Sequence, residues 1–406
     1  MGTDCGCSNT IVQVQGGTRS RDNVYASMPC HLLGCSRDYT VIQLDDNGNE
    51  VSQAPSQCIT SLLPTVDGTE SELVWLVDHL GAGEKVSFAI AISTEAQQND
   101  ATGARIDIKD KEQADFFIGD ELFTSYIVKS GIARPFCYPV IGPDGLNIAR
   151  DIVYLREGDY GSTYDGVDHI HHKGIWIAQG DVNGTDNWSE MEGHGRTLNR
   201  SLTVESQGPI FAQLHAVGDW VSARGDHILQ EDTFIRVYNT PGSARMMDIS
   251  TVWTAGEKGV FFADTKEAGT VSIRLKESME ERNGGTIRNA YGAIGEAENW
   301  GKPAPWVDYY GPLEDQVCGV TIMDHPTNLR HPATWHVRSY GLFTANQWGL
   351  HDYTGDWSVR GDYALPAGQS LCFRFRLYVH EGDTEAAGVS ARYLDWAFPP
   401  QVSIVE

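Results

Sequence analysis

Short stretches of the chain alternate between apolar and polar positions, and this alternation predicts strands. Residues 86–92 place an apolar side chain at every second position, as expected for a strand with one face against a core. Residues 373–380 alternate in the same way and predict a half-buried antiparallel strand. Apolar runs at 259–263, 270–275 and 317–323 are bounded by turn residues and predict further strands.

Turn and helix signals complete the pattern. Residues 45–48 end in Asn-Gly, which supplies the positive φ angles of a tight hairpin turn after the apolar run 39–44. Only residues 385–397 have helical spacing of apolar positions, with Asp383 available as a cap. Because strands do not alternate with amphipathic helices, we predict an all-β fold: a large antiparallel β-sandwich or super-sandwich with one C-terminal helix.

The length of 406 residues is more than one ordinary domain holds, so two β units are expected. The polar stretch 93–103 interrupts the strand pattern and predicts a linker. We therefore expect a small N-terminal β-sandwich domain at 1–103 and a large β-sandwich domain, which carries the functional site, at 104–406.

The charge of the chain excludes several partner classes. Lys and Arg number 30 against 55 Asp and Glu, a formal net charge of -25, which repels nucleic acid and anionic lipid surfaces. No apolar stretch approaches the roughly 20 residues of a membrane helix, and the first thirty residues contain no leader-like run. The sequence as written favours a soluble cytoplasmic protein, or a secreted or periplasmic one if a leader was removed. The eight cysteines have no zinc-site spacing.

The densest chemistry lies in the segment Asp168-His-Ile-His-His172. On an extended backbone His169 and His171 share one face while His172 points to the other. A His-x-His pair can chelate a divalent metal if a third ligand joins it, or the imidazoles can hydrogen-bond a polar ligand instead. The cofactor is therefore left open, with a divalent metal as one alternative. Candidate third ligands are Glu190, Glu267, His325 and His336.

Two further regions add candidate residues. Lys266 and Glu267 follow a predicted strand, where they form either a structural ion pair or a general base with its neighbour. Residues 306–356 interleave aromatic rings with Asp, Asn and Arg, a composition that suits the stacking faces and hydroxyls of sugar rings. The sequence lacks a Walker loop, a dinucleotide-binding glycine turn, a Gly-x-Ser-x-Gly elbow and a His-Glu-x-x-His helix. Acid–base chemistry by His and carboxylate remains.

Several motifs together resemble a bacterial family known as PmoA-like, or methane oxygenase-like. They include Asp168-His-Ile-His-His-Lys-Gly174 and Asp264-Thr-Lys-Glu267, with further motifs at 134–143, 180–184 and 324–338. The resemblance runs from Phe123 to the C-terminus, and Ile170 stands where such proteins often have proline. It implies a β-sandwich similar to mutarotase-like carbohydrate-active enzymes. The activity in the family name does not fit, because a particulate methane oxygenase is an integral membrane assembly and no spanning segment is present here.

Our first hypothesis is a carbohydrate-active enzyme that cleaves a glycosidic bond, by hydrolysis as a glycoside hydrolase or by β-elimination as a polysaccharide lyase. The candidate catalytic residues are His171, His172, Glu267 and His336. The candidate substrate-binding residues are His169, Asp181, Asn183, Trp188, Lys266, Asp308, Tyr309, Trp335, Arg338 and Asn346. The alternatives are an aldose epimerase or mutarotase, which breaks no glycosidic bond, and a non-catalytic glycan-binding protein that needs the aromatic residues but not the histidines.

Overall fold

A computed structural model describes residues 10–33, 39–60, 71–93, 103–156, 159–240 and 242–405. Strands account for 53% of the chain and helical residues for 8%, which confirms the predicted all-β class. The chain divides into two compact units. Unit 1 contains the residues up to Arg105 together with Glu205–Ala212 and Ser390–Glu406, and unit 2 contains Ile106–Val204 and Gln213–Val389.

Unit 1 is a small β-sandwich. Its strands are β1 Thr10–Gln15, β2 Arg21–Pro29, β3 Tyr39–Leu44, β4 Glu50–Ala54, β5 Ser56–Thr60, β6 Ser71–Leu80, β7 Lys85–Ile92 and β28 Gln401–Val405, with a 3-10 turn at Cys30–Leu33. One sheet has the order β28-β1-β7-β3-β4 and the other β2-β6-β5. Trp75 and Phe88 come from different sheets and their rings lie 5.9 Å apart in the shared core.

The local predictions in this unit are confirmed where the structure describes them. β3 and β4 form the predicted antiparallel hairpin, and Gly48 in its turn has a φ of 81°. The strand predicted at 86–92 is β7, and its apolar positions Val86, Phe88 and Ile90 are buried. Most of the predicted linker, residues 94–102, lies outside the described residues, and the predicted domain boundary stays a prediction.

Helices are short and few among the described residues. They are α1 Glu296–Asn299, α2 Leu350–Thr354 and α3 Val389–Ala397. The C-terminal helix predicted at 385–397 is therefore present but begins four residues later. Asp383 caps the turn before it, because its Oδ1 accepts a hydrogen bond of 2.9 Å from the Ala386 amide.

Unit 2 is built on two eight-stranded antiparallel sheets. Sheet I has the order β24-β25-β20-β14-β11-β10-β9-β8, and sheet II the order β15-β16-β17-β18-β27-β23-β22-β21. The strands are β8 Ala104–Lys109, β9 Gln113–Ile118, β10 Glu121–Ile127, β11 Phe136–Val140, β12 Thr163–Tyr164, β13 Val167–Asp168, β14 Ile175–Gln179, β15 Arg196–Ser206, β16 Phe211–Val221, β17 His227–Tyr238, β18 Ala244–Ala255, β19 Val260–Phe262, β20 Ala268–Arg274, β21 Thr286–Asn289, β22 Trp306–Leu313, β23 Gln316–Asp324, β24 Thr334–Val337, β25 Leu342–Asn346, β26 Tyr363–Leu365 and β27 Ser370–Glu381, with 3-10 turns at Glu277–Met279 and Glu281–Asn283.

The main core of unit 2 lies between the two sheets. Tyr309 of sheet II packs against Phe343 of sheet I with ring centroids 6.3 Å apart, and Trp335 of sheet I lies 5.7 Å from the same ring. All three side chains are fully buried. The burial of opposing apolar faces makes unit 2 the large β-sandwich that the sequence predicts.

One strand prediction needs correction. The strand at 373–380 is β27, but it lies between β18 and β23 in the middle of sheet II, and all of these residues except the half-buried Arg374 are buried. Arg376 is buried because Asp248 accepts two of its hydrogen bonds at 2.6 and 2.8 Å. His380 is buried because it contacts Asp308 at 3.0 Å. The prediction placed these polar residues on an exposed face because burying them without partners is costly. Their hydrogen bonds to buried partners offset that cost.

Candidate active site

His169, His171 and His172 meet at a turn on the outer face of sheet I, which we call the histidine turn. The chain turns after β13, with a positive φ of 44° at His169 and a hydrogen bond of 2.9 Å from the His172 amide to the His169 carbonyl. The ring centroid of His171 lies 4.4 Å from that of His172, and the centroid of His169 lies 5.0 Å from that of His172. The expectation from an extended backbone, that His172 points away from the other two, is therefore wrong.

Four rings form a continuous stack at this turn. Trp176 from β14 stacks on His172 at 5.1 Å, His172 on His169 at 5.0 Å, and His169 on Tyr340 at 5.6 Å. The interplanar angles are 15°, 15° and 14°. The stack runs from the buried face of Trp176 outward to Tyr340, and it fixes the orientation of the His169 ring.

His169 is the accessible imidazole of the group. Its side chain is 40% exposed, and its Nδ1 lies 2.8 Å from Asp168 Oδ2. Burial would raise the pKa of Asp168, but the hydrogen bond with His169 and the charges of Arg274 and Arg150 outweigh it and lower that pKa. An ionised Asp168 accepts the Nδ1 proton, so the lone pair of neutral His169 is on Nε2. Among the described residues Nε2 has no partner, which leaves it open to a ligand.

Arg150 fixes the backbone of this pair. Its guanidinium donates hydrogen bonds of 2.9 Å to the Asp168 carbonyl and 2.7 Å to the His169 carbonyl. Ile170 is buried at the turn, and its amide donates a bond of 3.2 Å to the Ser162 carbonyl. A proline at this position has no amide hydrogen and could not donate that bond. With isoleucine, this hydrogen bond holds the turn in place of a rigid proline ring.

His171 and His172 are buried beneath His169 and carry no charge. Burial lowers the pKa of His171 to about 2, and burial also lowers that of His172 far below its usual value. Arg274 Nη1 donates to His172 Nδ1 at 3.2 Å, so the His172 proton is on Nε2. Trp188 packs edge-on against both rings, at 6.2 and 5.5 Å. These two histidines support the exposed ring above them.

Tyr340 lies at the outer end of the stack between two guanidinium groups. Arg274 is 4.7 Å and Arg338 5.4 Å from its ring centroid, and Arg338 also pairs with Glu296 at 2.8 Å. Burial raises the pKa of Tyr340, and the two guanidinium charges offset part of that rise. The phenol is therefore protonated at neutral pH and can donate a proton.

The Lys266-Glu267 segment lies at the other end of β20, where sheet I holds its backbone. His336 Nδ1 contacts the Lys266 carbonyl at 2.7 Å, and Asn346 donates to the same oxygen at 2.9 Å. Both side chains are buried. Lys266 Nζ contacts Glu267 Oε1 at 2.7 Å, with both side chains half exposed. His336 and Asn346 thus hold the backbone that presents Glu267.

The charge of Glu267 connects this end of the strand to the histidine turn. Burial lowers the pKa of His336 to about 4, and the Glu267 carboxylate opposes that shift. The same carboxylate acts to raise the pKa of Tyr340. Glu267, His336 and Tyr340 therefore belong to one electrostatic environment, although Glu267 has no direct contact with His169, His171 or His172 among the described residues.

Three predicted binding residues lie away from this face. Asp308 is on the outer face of sheet II, where Thr321, Thr384 and His380 surround its carboxylate. Tyr309 and Trp335 point into the core between the sheets. The structure does not bring these three residues to the histidine turn.

Two other predicted binding residues hold a turn after β14. Asp181 Oδ1 accepts a bond of 2.9 Å from the Gly184 amide, and Asn183 Oδ1 accepts one of 2.7 Å from the Phe261 amide. Asn183 has a positive φ of 53°, which asparagine tolerates better than most residues. Their oxygens are therefore occupied by backbone amides that tie this turn to β19.

No group of three His, Cys, Asp or Glu side chains is arranged to hold a metal ion in the part of the chain that the structure describes. The proposed third ligands have other partners. Glu190 forms a buried ion pair with Lys173, His325 contacts Thr327 at 2.8 Å, and His336 contacts a backbone carbonyl.

Sequence reasoning missed two central side chains, Tyr340 and Arg274. Tyr340 was one of many aromatic residues in its region, and its position in the turn between β24 and β25 gave it no special signal. Arg274 ends a predicted apolar strand, and an arginine there is usually solvated. The only available signal was the Arg338-Ser-Tyr-Gly341 turn, because Gly341 has a φ of 85° and closes a tight loop.

A family model described as a family of unknown function, DUF6807, matches residues 113–393. The chain belongs to this family. The match covers every residue of the histidine turn, Tyr340 and the Lys266-Glu267 segment. It does not show the PmoA-like relationship suggested by the motifs.

The other comparisons add a structural similarity. A solved structure of an alpha-mannosidase from Enterococcus faecalis V583 aligns with a TM-score of 0.41 and 11% sequence identity, over 98% of this chain and 46% of the mannosidase chain. This chain therefore spans less than half of the length of that protein. No curated protein matches the sequence. Within the described residues, no helix has the length and apolar character needed to cross a membrane.

Proposed function

We propose that unit 2 is a carbohydrate-active enzyme that cleaves a glycosidic bond by acid–base catalysis, with His169 as the base and Tyr340 as the acid. The observation that carries this proposal is the stacked pair itself. An imidazole held by Asp168 at 2.8 Å lies 5.6 Å, centroid to centroid, from a protonated phenol. Cleavage of the bond between two sugars requires one group that accepts a proton and another that donates one, and these two side chains can supply both.

The open surface supports a saccharide as the ligand. A cleft with a volume of about 620 Å³ begins at Asp168 and Arg274, next to the His169 turn. That volume is in the range of sites that bind small organic molecules, and eight charged side chains contribute to its walls beside apolar surface. Hydroxyl-rich ligands suit such walls because each hydroxyl can both donate and accept hydrogen bonds.

The earlier candidates receive different roles under this proposal. His171 and His172 are positioning residues, since they are buried and neutral and act by supporting the His169 ring. Glu267 tunes the proton affinity of Tyr340 through its charge. His336 positions the Glu267 backbone.

The test uses two variants and a matched control against a panel of neutral and acidic polysaccharides. His169→Ala and Tyr340→Phe should each lower turnover by at least ~100-fold, the usual scale for losing a general acid or base. His79→Ala is the control, because the His79 Nδ1 contacts Asp22 at 2.7 Å in unit 1 and no tyrosine ring of the described residues stacks on it. Undiminished turnover in both site variants would reject the proposal.

The same panel separates the alternative functions. An epimerase or mutarotase would accelerate the exchange of anomers of free sugars, seen by polarimetry, without new reducing ends. A glycan-binding protein would retain binding in His169→Ala and produce no cleavage from any polymer. Either result would contradict the proposed cleavage.

A further inference from the structure

The cleft beside the histidine turn is lined by equal numbers of cationic and acidic side chains, in a strongly acidic chain. Its walls contain four cationic side chains, although the whole chain has a net charge of -25. The cations are Arg150, Arg274, Lys276 and Arg282, and the carboxylates in the same walls are Asp151, Asp168, Glu277 and Glu280. The distribution of partners among these groups determines which cation is available to a ligand.

Arg274 is a buried cation of this cleft with unused donors. Its side chain is 3% exposed, and its one hydrogen bond to the described residues is the 3.2 Å bond from Nη1 to His172. Nη2 lies 3.7 Å from Asp168 and 3.9 Å from Glu280, which is beyond hydrogen-bond distance. Nε is buried and has no partner in the described part of the chain. A buried guanidinium with most of its donors unpaired is costly unless a ligand supplies acceptors.

The two carboxylates nearest Arg274 form their hydrogen bonds with other groups. Arg150 lies beside it, and burial together with the Arg274 charge lowers the pKa of Arg150 to about 10, so Arg150 remains charged at neutral pH. Glu280 makes its close contact with Arg282, at 2.5 Å, rather than with Arg274. Asp168 is already bonded to His169 and Arg150. An anionic ligand at Arg274 would therefore meet guanidinium donors that neither Asp168 nor Glu280 occupies with a hydrogen bond.

We propose that Arg274 binds the carboxylate of an acidic sugar, so that the substrate is a uronate-containing polysaccharide and the bond breaks by β-elimination. The inference rests on the proposed function for the identity of the base and the acid. A guanidinium fork matches the two oxygens of a carboxylate. A sulfate ester would also bind a guanidinium, but only a carboxylate makes the adjacent ring C–H acidic enough for removal by an imidazole.

The step balances without an oxidant or a metal. His169 Nε2 takes the proton from C5, next to the carboxylate, and the C–H electron pair becomes the second bond between C4 and C5. The C4–O bond breaks, and the leaving oxygen takes the hydroxyl proton of Tyr340. Arg274 stabilises the negative charge that accumulates on the carboxylate as C5 loses its proton. Exchange with water then returns both catalytic groups to their starting protonation states.

The first experiment uses the whole chain and needs no variant. Polyuronate is compared with the same polymer after its carboxyl groups are reduced to alcohols, and the ultraviolet absorbance of the C4=C5 double bond is followed. We expect unsaturated product from the polyuronate and a loss of at least ~100-fold with the reduced polymer, the scale for removing one charged transition-state contact. Saturated reducing ends from either polymer would overturn the elimination.

The second experiment assigns the carboxylate contact. Arg274→Gln and Arg274→Lys are compared with Arg200→Gln, a control at an exposed arginine of β15 that pairs with Asp219. Both Arg274 variants should lower kcat/KM on polyuronate by ~100-fold or more. Binding of monomeric uronate, measured by calorimetry, should weaken in them and remain unchanged in Arg200→Gln. Because Arg274 is buried, folding of each variant is checked by circular dichroism, and Arg274→Lys serves if the glutamine variant does not fold.

The outcomes separate this inference from the proposed function. Cleavage of a neutral polymer at a rate unaffected by Arg274→Gln would overturn the inference and leave the proposed function intact. Uronate binding that depends on Arg274, without cleavage of any polymer, would support the carboxylate site and overturn the proposed function. Binding of sulfated sugars in preference to uronates would overturn the assignment of the substrate class.

Discussion

The two outer faces of the unit 2 sandwich each contain an aspartate paired with a histidine. The two pairs have similar distances but differ in solvent exposure and in the other partners of their side chains. On sheet I, Asp168 and His169 are separated by 2.8 Å, and their side chains are 56% and 40% exposed. On sheet II, Asp308 and His380 are separated by 3.0 Å, and both are completely enclosed. The comparison shows which features of such a pair indicate structure and which indicate chemistry.

The sheet II pair has no unused capacity. The Asp308 carboxylate accepts bonds of 2.9 Å from Thr321 and 2.6 Å from Thr384 in addition to its contact with His380. Burial would lower the pKa of His380, but the charge and hydrogen bond of Asp308 outweigh it and raise that pKa. The result is a charged ion pair whose carboxylate is already fully engaged by protein groups, so that removing either partner is costly and nothing is presented to a ligand.

The sheet I pair is the opposite case. His169 has an open Nε2, a backbone φ of 44° that side chains rarely adopt, and a phenol stacked on its outer face. Strained backbone at an exposed polar pair is typical of functional sites, where the surrounding structure imposes a conformation that the residue would not choose. The difference in solvent access and unused valence, rather than the residue types, separates the two pairs.

The largest expected effect is on stability at the sheet II pair. Asp308→Ala should lower the free energy of unfolding by about 3–5 kcal/mol, because it leaves His380, Thr321 and Thr384 buried without their acceptor. Denaturant unfolding measures the change. Asp168→Ala is the counterpart on the exposed pair and should cost less than about 1 kcal/mol. Equal losses in the two variants would erase the distinction.

The next effect is on turnover, where the exposed Asp168–His169 pair should matter more than the enclosed Asp308–His380 pair. Asp168→Asn should lower turnover by ~100-fold or more, since an amide no longer fixes the His169 proton on Nδ1 and the lone pair on Nε2. Asp308→Asn should leave the turnover of the folded protein unchanged. The measurement is cleavage rate per mole of folded protein, and a comparable loss in Asp308→Asn would contradict the assignment of the site to sheet I.

The sequence predicts the β-class and many strands because apolar alternation is a local property. It also indicates the histidine segment, since four of the residues at 168–172 are ionisable or imidazole side chains. It does not distinguish Asp308 from Asp168, because enclosure depends on which strands pair. Asp308 and Thr321 belong to the hairpin of β22 and β23, but His380 on β27 and Thr384 after it come from a later part of the chain.

The position of Tyr340 illustrates the same limit more sharply. Its contact with His169 joins residues that are far apart in the sequence, and it depends on β25 pairing with β20 and β20 pairing with β14. No local periodicity encodes that order. Arg274 was hidden for a related reason, because only the turn of the chain at His169 places His172 and Asp168 around its guanidinium.

The two faces should also respond to pH with opposite signs. The pKa of His171 is about 2 in the folded protein and near 6.5 in the unfolded chain, so the unfolded state binds an additional proton as pH falls below 6.5. His171 therefore lowers the free energy of unfolding by about 1.4 kcal/mol per pH unit below 6.5. In His171→Phe, the free energy of unfolding measured with denaturant should fall less steeply below pH 6.5, by about 1.4 kcal/mol per pH unit.

His380 provides the internal contrast for this measurement. Its pKa is raised in the folded state, so its contribution to stability is full below the unfolded value and is lost as pH rises through the folded value. The stability deficit of His380→Phe should thus be larger at pH 5 than at pH 8. A deficit that grows with pH would mean that the imidazole is neutral in the folded protein and that the pair on sheet II is not an ion pair.

The smallest expected effect tests a third ion pair that is neither enclosed nor stacked. Lys266 and Glu267 are in contact at 2.7 Å with about two fifths of each side chain exposed, so water screens their attraction. Lys266→Met should change the free energy of unfolding by less than about 0.5 kcal/mol, because His336 and Asn346 hold the backbone carbonyl of residue 266 whatever its side chain is. His336→Ala is the matched variant that removes one of those contacts, and it should be the more destabilising of the two. If Lys266→Met were the more destabilising, the ion pair, and not the contacts of His336 and Asn346 with the backbone, would position Glu267. The effect of the Glu267 charge on the pKa of Tyr340 would then depend on Lys266.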